Sequence, residues 1–299
     1  MTLVHAEPRQ LGALGPVGPL AYGLWRFTND DVAAAQRLVE TALEAGLRLF
    51  DTSDVYGYDW GGTGFGQVEE ILGRVIAAAP ALRERMVLAT KGGIVPPAPY
   101  DSSPQYLRSA CEASLRRLRV DVVDLYQIHR PDLYSHPADV AETLTALRDS
   151  GKIREVGVSN HTVAQVEALA AHLPFPLVTT QPEFSALRLE PMRDGTFDHC
   201  MRTGVVPLAW SPLAGGALAT GEGVAPELLG VLDALAEREG VDRTAIALAF
   251  VLAHPSAPVA IIGSQNPQRI AASAAALGVR LDRHDVYQIV QASEGAPLP

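Results

Sequence analysis

Short apolar runs alternate with longer stretches of helical periodicity along almost the whole chain. The first clear helix is predicted over 33–45, where Ala33, Leu38, Ala42 and Ala45 recur at helical spacing behind Asp30 and Asp31 and ahead of Gly46. The run 47–51 follows as a strand. Residues 20–25, before that helix, read as either a strand or a loop. Beyond them the pattern predicts a helix over 67–79 closed by Pro80, a strand over 86–90, a helix over 104–118 and a strand over 122–128. It continues with a helix over 137–150, a strand over 155–158, a helix over 162–172 and a strand over 177–180. An irregular stretch holding a helix over 196–203 leads to a strand over 205–209. Helices over 226–239 and 243–253 precede a strand over 259–262, and helices from Pro267 and from about Asp282 end the chain.

Strand-then-helix repetition implies a parallel sheet covered by helices. Seven or eight such strands, with no linker or compositional break near the middle, predict one (β/α)8 barrel occupying 1–299 as a single domain, rather than two doubly wound halves. Polar residues fall at matching places. Asp51, Lys91, His129, Asn160, Gln181 and Ser264 each come just after an apolar run, and barrels of this kind build their sites at the C-terminal strand ends.

Composition narrows the function without naming it. The hydrophobic fraction of 47% and charged fraction of 19% are those of an ordinary soluble protein. A net charge of −10 argues against a nucleic-acid surface but leaves room for a local basic pocket facing an anionic cofactor. Cys111 and Cys200 stand alone, none of the eight histidines forms a ligand pair, and no metal site is expected. The first ten residues carry no apolar leader, and the longest apolar stretch, 245–253, is too short to cross a bilayer. The expectation is a cytoplasmic protein of undetermined oligomeric state, with no membrane or nucleic-acid partner.

Asp51, Tyr56, Lys91 and His129 come from three successive strand ends. A lysine beside a tyrosine favours the phenolate, and an aspartate beside the lysine holds it charged. A tyrosine tuned in this way can give a proton to a carbonyl oxygen or take one from an alcohol, and His129 could orient that oxygen. A Schiff-base lysine needs Lys91 neutral and free, which Asp51 opposes. The loop 58–66 is rich in glycine, but its spacing is not that of a dinucleotide fingerprint and no strand runs into it.

The chain resembles the aldo-keto reductase family. The resemblance rests on Phe50-Asp51-Thr52-Ser53-Asp54-Val55-Tyr56-Gly57, Thr90-Lys91, Asp124-Leu125-Tyr126-Gln127-Ile128-His129 and Gly157-Val158-Ser159-Asn160. Gln181-Pro182-Glu183-Phe184-Ser185, Trp210-Ser211-Pro212-Leu213 and Ile262-Gly263-Ser264 complete it. It implies NAD(P)H-dependent reduction of an aldehyde or ketone, or the reverse reaction on a sugar or alcohol. Tyr56 would then be the proton donor, Lys91 and Asp51 would tune it, and His129 would orient the carbonyl. Ser159, Asn160 and Gln181 would hold the nicotinamide carboxamide, Trp210 would wall the ring, and Ser211 and Leu213 would belong to the same cofactor side. Ser264 and Arg269 match positions that touch the 2′-phosphate, which favours NADP(H) over NAD(H). Gly263, Ala272 and Ser273 depart from the family pattern there. Trp25, Tyr58 and Trp60 are the candidate substrate walls. A nicotinamide-binding redox sensor with little turnover is the alternative from another class.

Overall fold

The computed structural model describes residues 2–298. At its centre eight parallel strands form a closed barrel: β1 (Leu20–Gly23), β2 (Leu49–Asp51), β3 (Val87–Gly92), β4 (Val123–Ile128), β5 (Ile153–Ser159), β6 (Thr179–Gln181), β7 (Val206–Ala209) and β8 (Val259–Ile262). Each pairs with its successor, and β8 closes the ring on β1.

Alternation along the strands sorts their side chains into two cores. Ala21, Leu49, Ala89, Leu125, Leu208, Val259 and Ile261 point inward and fill the barrel, joined from below by Leu11 and Val17. Tyr22, Phe50, Leu88, Tyr126, Val156, Val158 and Ile262 point outward and pack against the helices. With both faces buried, the strands read as near-continuous apolar runs rather than alternating ones.

Helix starts follow local capping chemistry. Asp31 accepts from the amides of Ala33 and Ala34 to open Val32–Glu44, Ser103 caps Pro104–Leu118, and Thr162 and Asp282 form capping boxes for Val163–Ala170 and Arg283–Glu294. The structure resolves residues 20–25 as β1 followed by a turn. It also departs from the pattern elsewhere. The helix Gln67–Ala78 does end before Pro80, but that proline opens a second short helix, Ala81–Arg85, because its fixed φ suits a first turn. The strand predicted over 177–180 lies at Thr179–Gln181. An antiparallel hairpin, Arg9–Gln10 with Pro16–Val17, plugs the N-terminal end of the barrel. Its strands are too short to produce a pattern.

Asp124 belongs to that N-terminal end. It accepts from the Leu88 amide at 2.8 Å and pairs with Arg83 at 2.9 Å and Arg154 at 3.1 Å. The motif Asp124–His129 therefore joins a fold-holding residue at one end of β4 to a candidate site residue just past the other. No helix among the described residues is long and apolar enough to cross a membrane.

Candidate active site

The inward positions at the C-terminal strand ends are polar. Asp51 ends β2, Lys91 lies beside Gln127 in the β3–β4 register, and Thr179 and Gln181 lie beside Gly157 and Ser159 across β5–β6. Lys91 is completely buried, and its Nζ donates to Asp51 Oδ2 at 2.7 Å, the Thr52 carbonyl at 2.9 Å and the Tyr56 hydroxyl at 3.1 Å. An ammonium has three protons to give, and all three are taken. Burial alone would lower the Lys91 pKa, but Asp51 and Tyr56 outweigh it and hold the pKa above its ordinary value. The other Asp51 oxygen accepts from Gln181 Nε2 at 3.0 Å and Gln127 Nε2 at 3.3 Å, and Thr179 Oγ1 donates to Gln127 Oε1 at 3.2 Å. Gly157 makes room for this contact, since a Cβ there would lie 2.0 Å from Thr179 Oγ1.

Tyr56 is half-buried at the mouth, one residue before Gly57, whose φ of +99° turns the chain away. Burial raises its pKa, Lys91 pulls it down and Asp51 pushes it up again, with a net rise. The expected pull from Lys91 is present but outweighed, so the ligand-free phenol stays protonated near neutral pH. His129 stands edge-to-face with Tyr56, ring centroids 5.7 Å apart, and its Nδ1 lies 2.9 Å from Ser53 Oγ. Burial, then the charges of Lys91 and Arg130, lower its pKa well below the usual range, so the imidazole is neutral. Asp51, Tyr56, Lys91 and His129 thus form one connected cluster.

Behind it lies a second buried acid. Asp54 accepts from Ser53 Oγ at 3.2 Å and from the Tyr106 hydroxyl at 3.1 Å. Burial, reinforced by the Glu69 charge, pushes its carboxyl up to about 7 against the opposing hydrogen bonds and Arg117. The folded state therefore binds this proton more tightly than the unfolded chain. Stability is lost as pH rises from the ordinary carboxylate pKa of 3.8 through about 7. An Asp54→Asn variant should escape a loss on the order of 3 kcal/mol across that window. Urea midpoints of both proteins at about pH 5 and pH 8 check this, and parallel pH dependences would contradict it.

The ends of β5 to β8 carry the remaining polar residues. Asn160 adopts φ +58°, and its Nδ2 donates to Ser159 Oγ at 2.8 Å and the His129 carbonyl at 3.3 Å. Ser159 Oγ donates to the Gln181 carbonyl at 3.1 Å. Trp210 is half-buried and donates Nε1–H to Asn160 Oδ1 at 2.9 Å. Beyond it Ser211, Ala214, Gly215 and Gly216 all have positive φ, and the Gly215 amide donates to Ser211 Oγ at 2.9 Å, with Leu213 inside the turn. Gly263 is exposed after β8. Ser264 Oγ accepts from the Asn266 amide at 3.2 Å, and Arg269 lies exposed in the helix that Asn266 caps.

Of the three candidate substrate walls, Trp25 and Trp60 pack together with ring centroids 4.9 Å apart. Tyr58 is exposed. Arg26, which the sequence did not single out, lies 4.5 Å over the Trp60 ring and donates to the Gly215 carbonyl at 2.9 Å, tying the loop after β1 to the loop after β7. Gln127, Thr179, Ser53 and Asp54 were also missed. For Gln127 and Thr179 a signal existed, since Thr179 stands two residues before Gln181 on β6 and Gln127 two before His129, just past the end of β4, and alternation puts both on the inner face.

An eight-stranded barrel with a buried Lys–Asp pair at the tyrosine hydroxyl defines a narrow class of protein, and comparison with known proteins identifies it. The aldo/keto reductase family model matches residues 19–294, and the chain belongs to that family. It is an oxidoreductase of the nicotinamide-dependent type. It is 50% identical over 295 residues to a 6-dehydroglucose reductase of Novosphingobium aromaticivorans, covering 97% of each chain. To a 6-dehydroglucose reductase of Agrobacterium fabrum it is 36% identical over 282 residues, covering 90% of this chain and 92% of the relative. Among solved structures it superposes on the glycerol dehydrogenase of Gluconobacter oxydans with a TM-score of 0.85 at 27% identity, covering 98% of both.

Proposed function

We propose that this chain reduces the carbonyl of a polyhydroxylated small molecule, with Tyr56 as general acid–base and NADPH as the preferred cofactor. The observation that carries the reading is the placement of Lys91 Nζ, 3.1 Å from the Tyr56 hydroxyl and 2.7 Å from Asp51, at the barrel's C-terminal mouth. When bound, the nicotinamide supplies the hydride. The remaining steps fall to the protein. Tyr56, protonated in its buried setting, gives its proton to the carbonyl oxygen as negative charge develops there. Lys91, kept cationic by Asp51, stabilises the phenolate left behind, and neutral His129 hydrogen-bonds and orients the oxygen. In the reverse direction the phenolate takes the alcohol proton.

The donor set at the ends of β5 to β8 fits the cofactor. Ser159, Asn160 and Gln181 offer amide and hydroxyl partners to a carboxamide, with Gln181 Oε1 forming no hydrogen bond among the described residues while Nε2 is held by Asp51. Trp210 offers an apolar wall. The positive-φ turn from Ser211 past Leu213 to Gly216 resembles the amide-lined nests that hold phosphate oxygens. Ser264 and Arg269, beside Gly263, fit a 2′-phosphate, and Arg269 forms no ion pair among the described residues. Arg269→Ala should weaken NADPH roughly tenfold, the worth of one charged hydrogen bond, and leave NADH nearly unchanged. Equal losses for both, or tighter NADH binding in the wild type, would remove the preference.

The similarity to two enzymes named 6-dehydroglucose reductases supports a sugar aldehyde as substrate. The Trp25–Trp60 wall with Arg26 offers an apolar face and a charged donor to such a ring. Comparing kcat/KM for glucose bearing a C6 aldehyde with that for a simple aliphatic aldehyde tests this. The sugar should win, and parity would contradict it. Burial pushes the thiols of Cys111 and Cys200 up to about 12, and both are free, which fits a reducing cytoplasmic setting.

A further inference from the structure

We infer that Ser53 and Asp54 form a positioning relay that sets which ring nitrogen of His129 carries the proton, and so whether His129 meets the substrate oxygen as a donor or as an acceptor. The inference rests on the proposed role of His129. Ser53 Oγ lies 2.9 Å from His129 Nδ1, 3.2 Å from Asp54 Oδ1 and 3.3 Å from the Lys91 carbonyl. A hydroxyl has one proton to share among these partners. Tyr106 occupies the other Asp54 oxygen at 3.1 Å, so a proton on Asp54 belongs on Oδ1, facing Ser53. His129 Nε2 makes no hydrogen bond to a described residue, and the residue keeps 8% of its surface exposed.

Two states follow from proton counting. With Asp54 protonated, Oδ1–H donates to Ser53 Oγ and Ser53 donates to Nδ1. The neutral imidazole then carries its proton on Nε2 and donates it to the substrate oxygen, as reduction requires. With Asp54 ionised, the carboxylate is the best acceptor within reach, so Ser53 donates to it. Nδ1–H then donates to Ser53, and Nε2 presents a lone pair, suited to accepting from an alcohol. The exchange between the states loses one proton, from Asp54 to solvent, and leaves His129 neutral throughout. Which nitrogen is protonated is set by what the other bonds.

The setting makes the exchange accessible near neutrality. Asp54 titrates at about 7, raised by burial and by Glu69 from the helix Gln67–Ala78, and opposed by Tyr106 and Arg117 from Pro104–Leu118 and by Ser53. Glu69 is itself paired with Arg117 at 2.7 Å and hydrogen-bonded by Thr90 of β3. Tyr126 of β4 faces Asp54, its hydroxyl without a hydrogen bond among the described residues, and His129 is faced by Lys91 and Arg130.

Protein labelled with 15N at histidine, cofactor-free, reads the tautomer directly by two-bond proton–nitrogen correlation. The His129 signals are identified by their absence from His129→Gln. The proton should move from Nε2 to Nδ1 across a midpoint near 7. Ser53→Ala should abolish that movement and lower kcat/KM for reduction about tenfold, the worth of one hydrogen bond, and Ser53→Thr should restore both. One tautomer throughout the range in the wild type would overturn the inference even if the variants fail to fold, as would an unchanged titration in Ser53→Ala. Tyr56→Phe keeps the two readings apart. It should lose turnover with the pH-dependent shift of the His129 tautomer intact, whereas full activity in Tyr56→Phe would count against the catalytic reading alone.

Discussion

Replacing Lys91 with methionine should cost about 3–5 kcal/mol of stability and remove activity as well. Lys91 has no exposed surface, and its three donors are all engaged within the barrel. Methionine fills nearly the same volume, so the loss does not come from a cavity. It comes from Asp51, which keeps the Gln127 and Gln181 amides but loses its cation in a setting that water does not reach. Adding Asp51→Asn should therefore recover most of the stability while leaving the protein inactive, since paired charges can be exchanged for neutral groups at little cost when both are removed. Urea denaturation of the single and double variants separates these effects. A single variant losing less than about 1 kcal/mol would mean that Asp51 is not buried with Lys91 in solution.

Tyr56→Phe should behave in the opposite way, with little change in stability and a large loss of turnover. The hydroxyl takes one of the three Lys91 hydrogen bonds, and its removal costs about 1 kcal/mol. Removing a positioned general acid costs roughly 10²–10⁴ in kcat. Cofactor affinity should hold, because the residues proposed to contact the nicotinamide lie on the ends of β5 to β8. Steady-state kinetics with fluorescence titration of NADPH measures both quantities. A fall in affinity comparable to the fall in kcat would place Tyr56 in cofactor binding instead.

The sequence showed the barrel because its strands are buried on two faces. Runs such as 86–90 and 122–128 stand out against the amphipathic helices around them. The N-terminal hairpin was not legible, since two-residue strands carry no period and the plug they form exists only once the barrel is closed. Asp51, Lys91 and His129 were visible because each follows an apolar run at the same point of the repeat, and Tyr56 because it stands in the loop that Asp51 opens. Their supports were harder to see. Gln127 and Thr179 were recoverable from strand parity. Arg26 reaches Gly215, 189 residues away, and Ser53 reaches His129, 76 residues away. Such contacts depend on ring closure, and nothing local to either residue announces them. The net direction of the Tyr56 pKa was hidden for the same reason, since it turns on how deeply the phenol is buried.

The direct measurement of turnover is a single-turnover experiment, in which protein saturated with NADPH is mixed with a sugar aldehyde and the reduced-nicotinamide absorbance is followed. The wild type should lose one equivalent of NADPH per site, and Tyr56→Phe essentially none at equal NADPH occupancy. If the wild type binds NADPH tightly but oxidises it with no aldehyde or ketone, and reduces NADP+ with no sugar or alcohol, the cluster around Tyr56 is not a catalytic centre and the chain is a nicotinamide sensor.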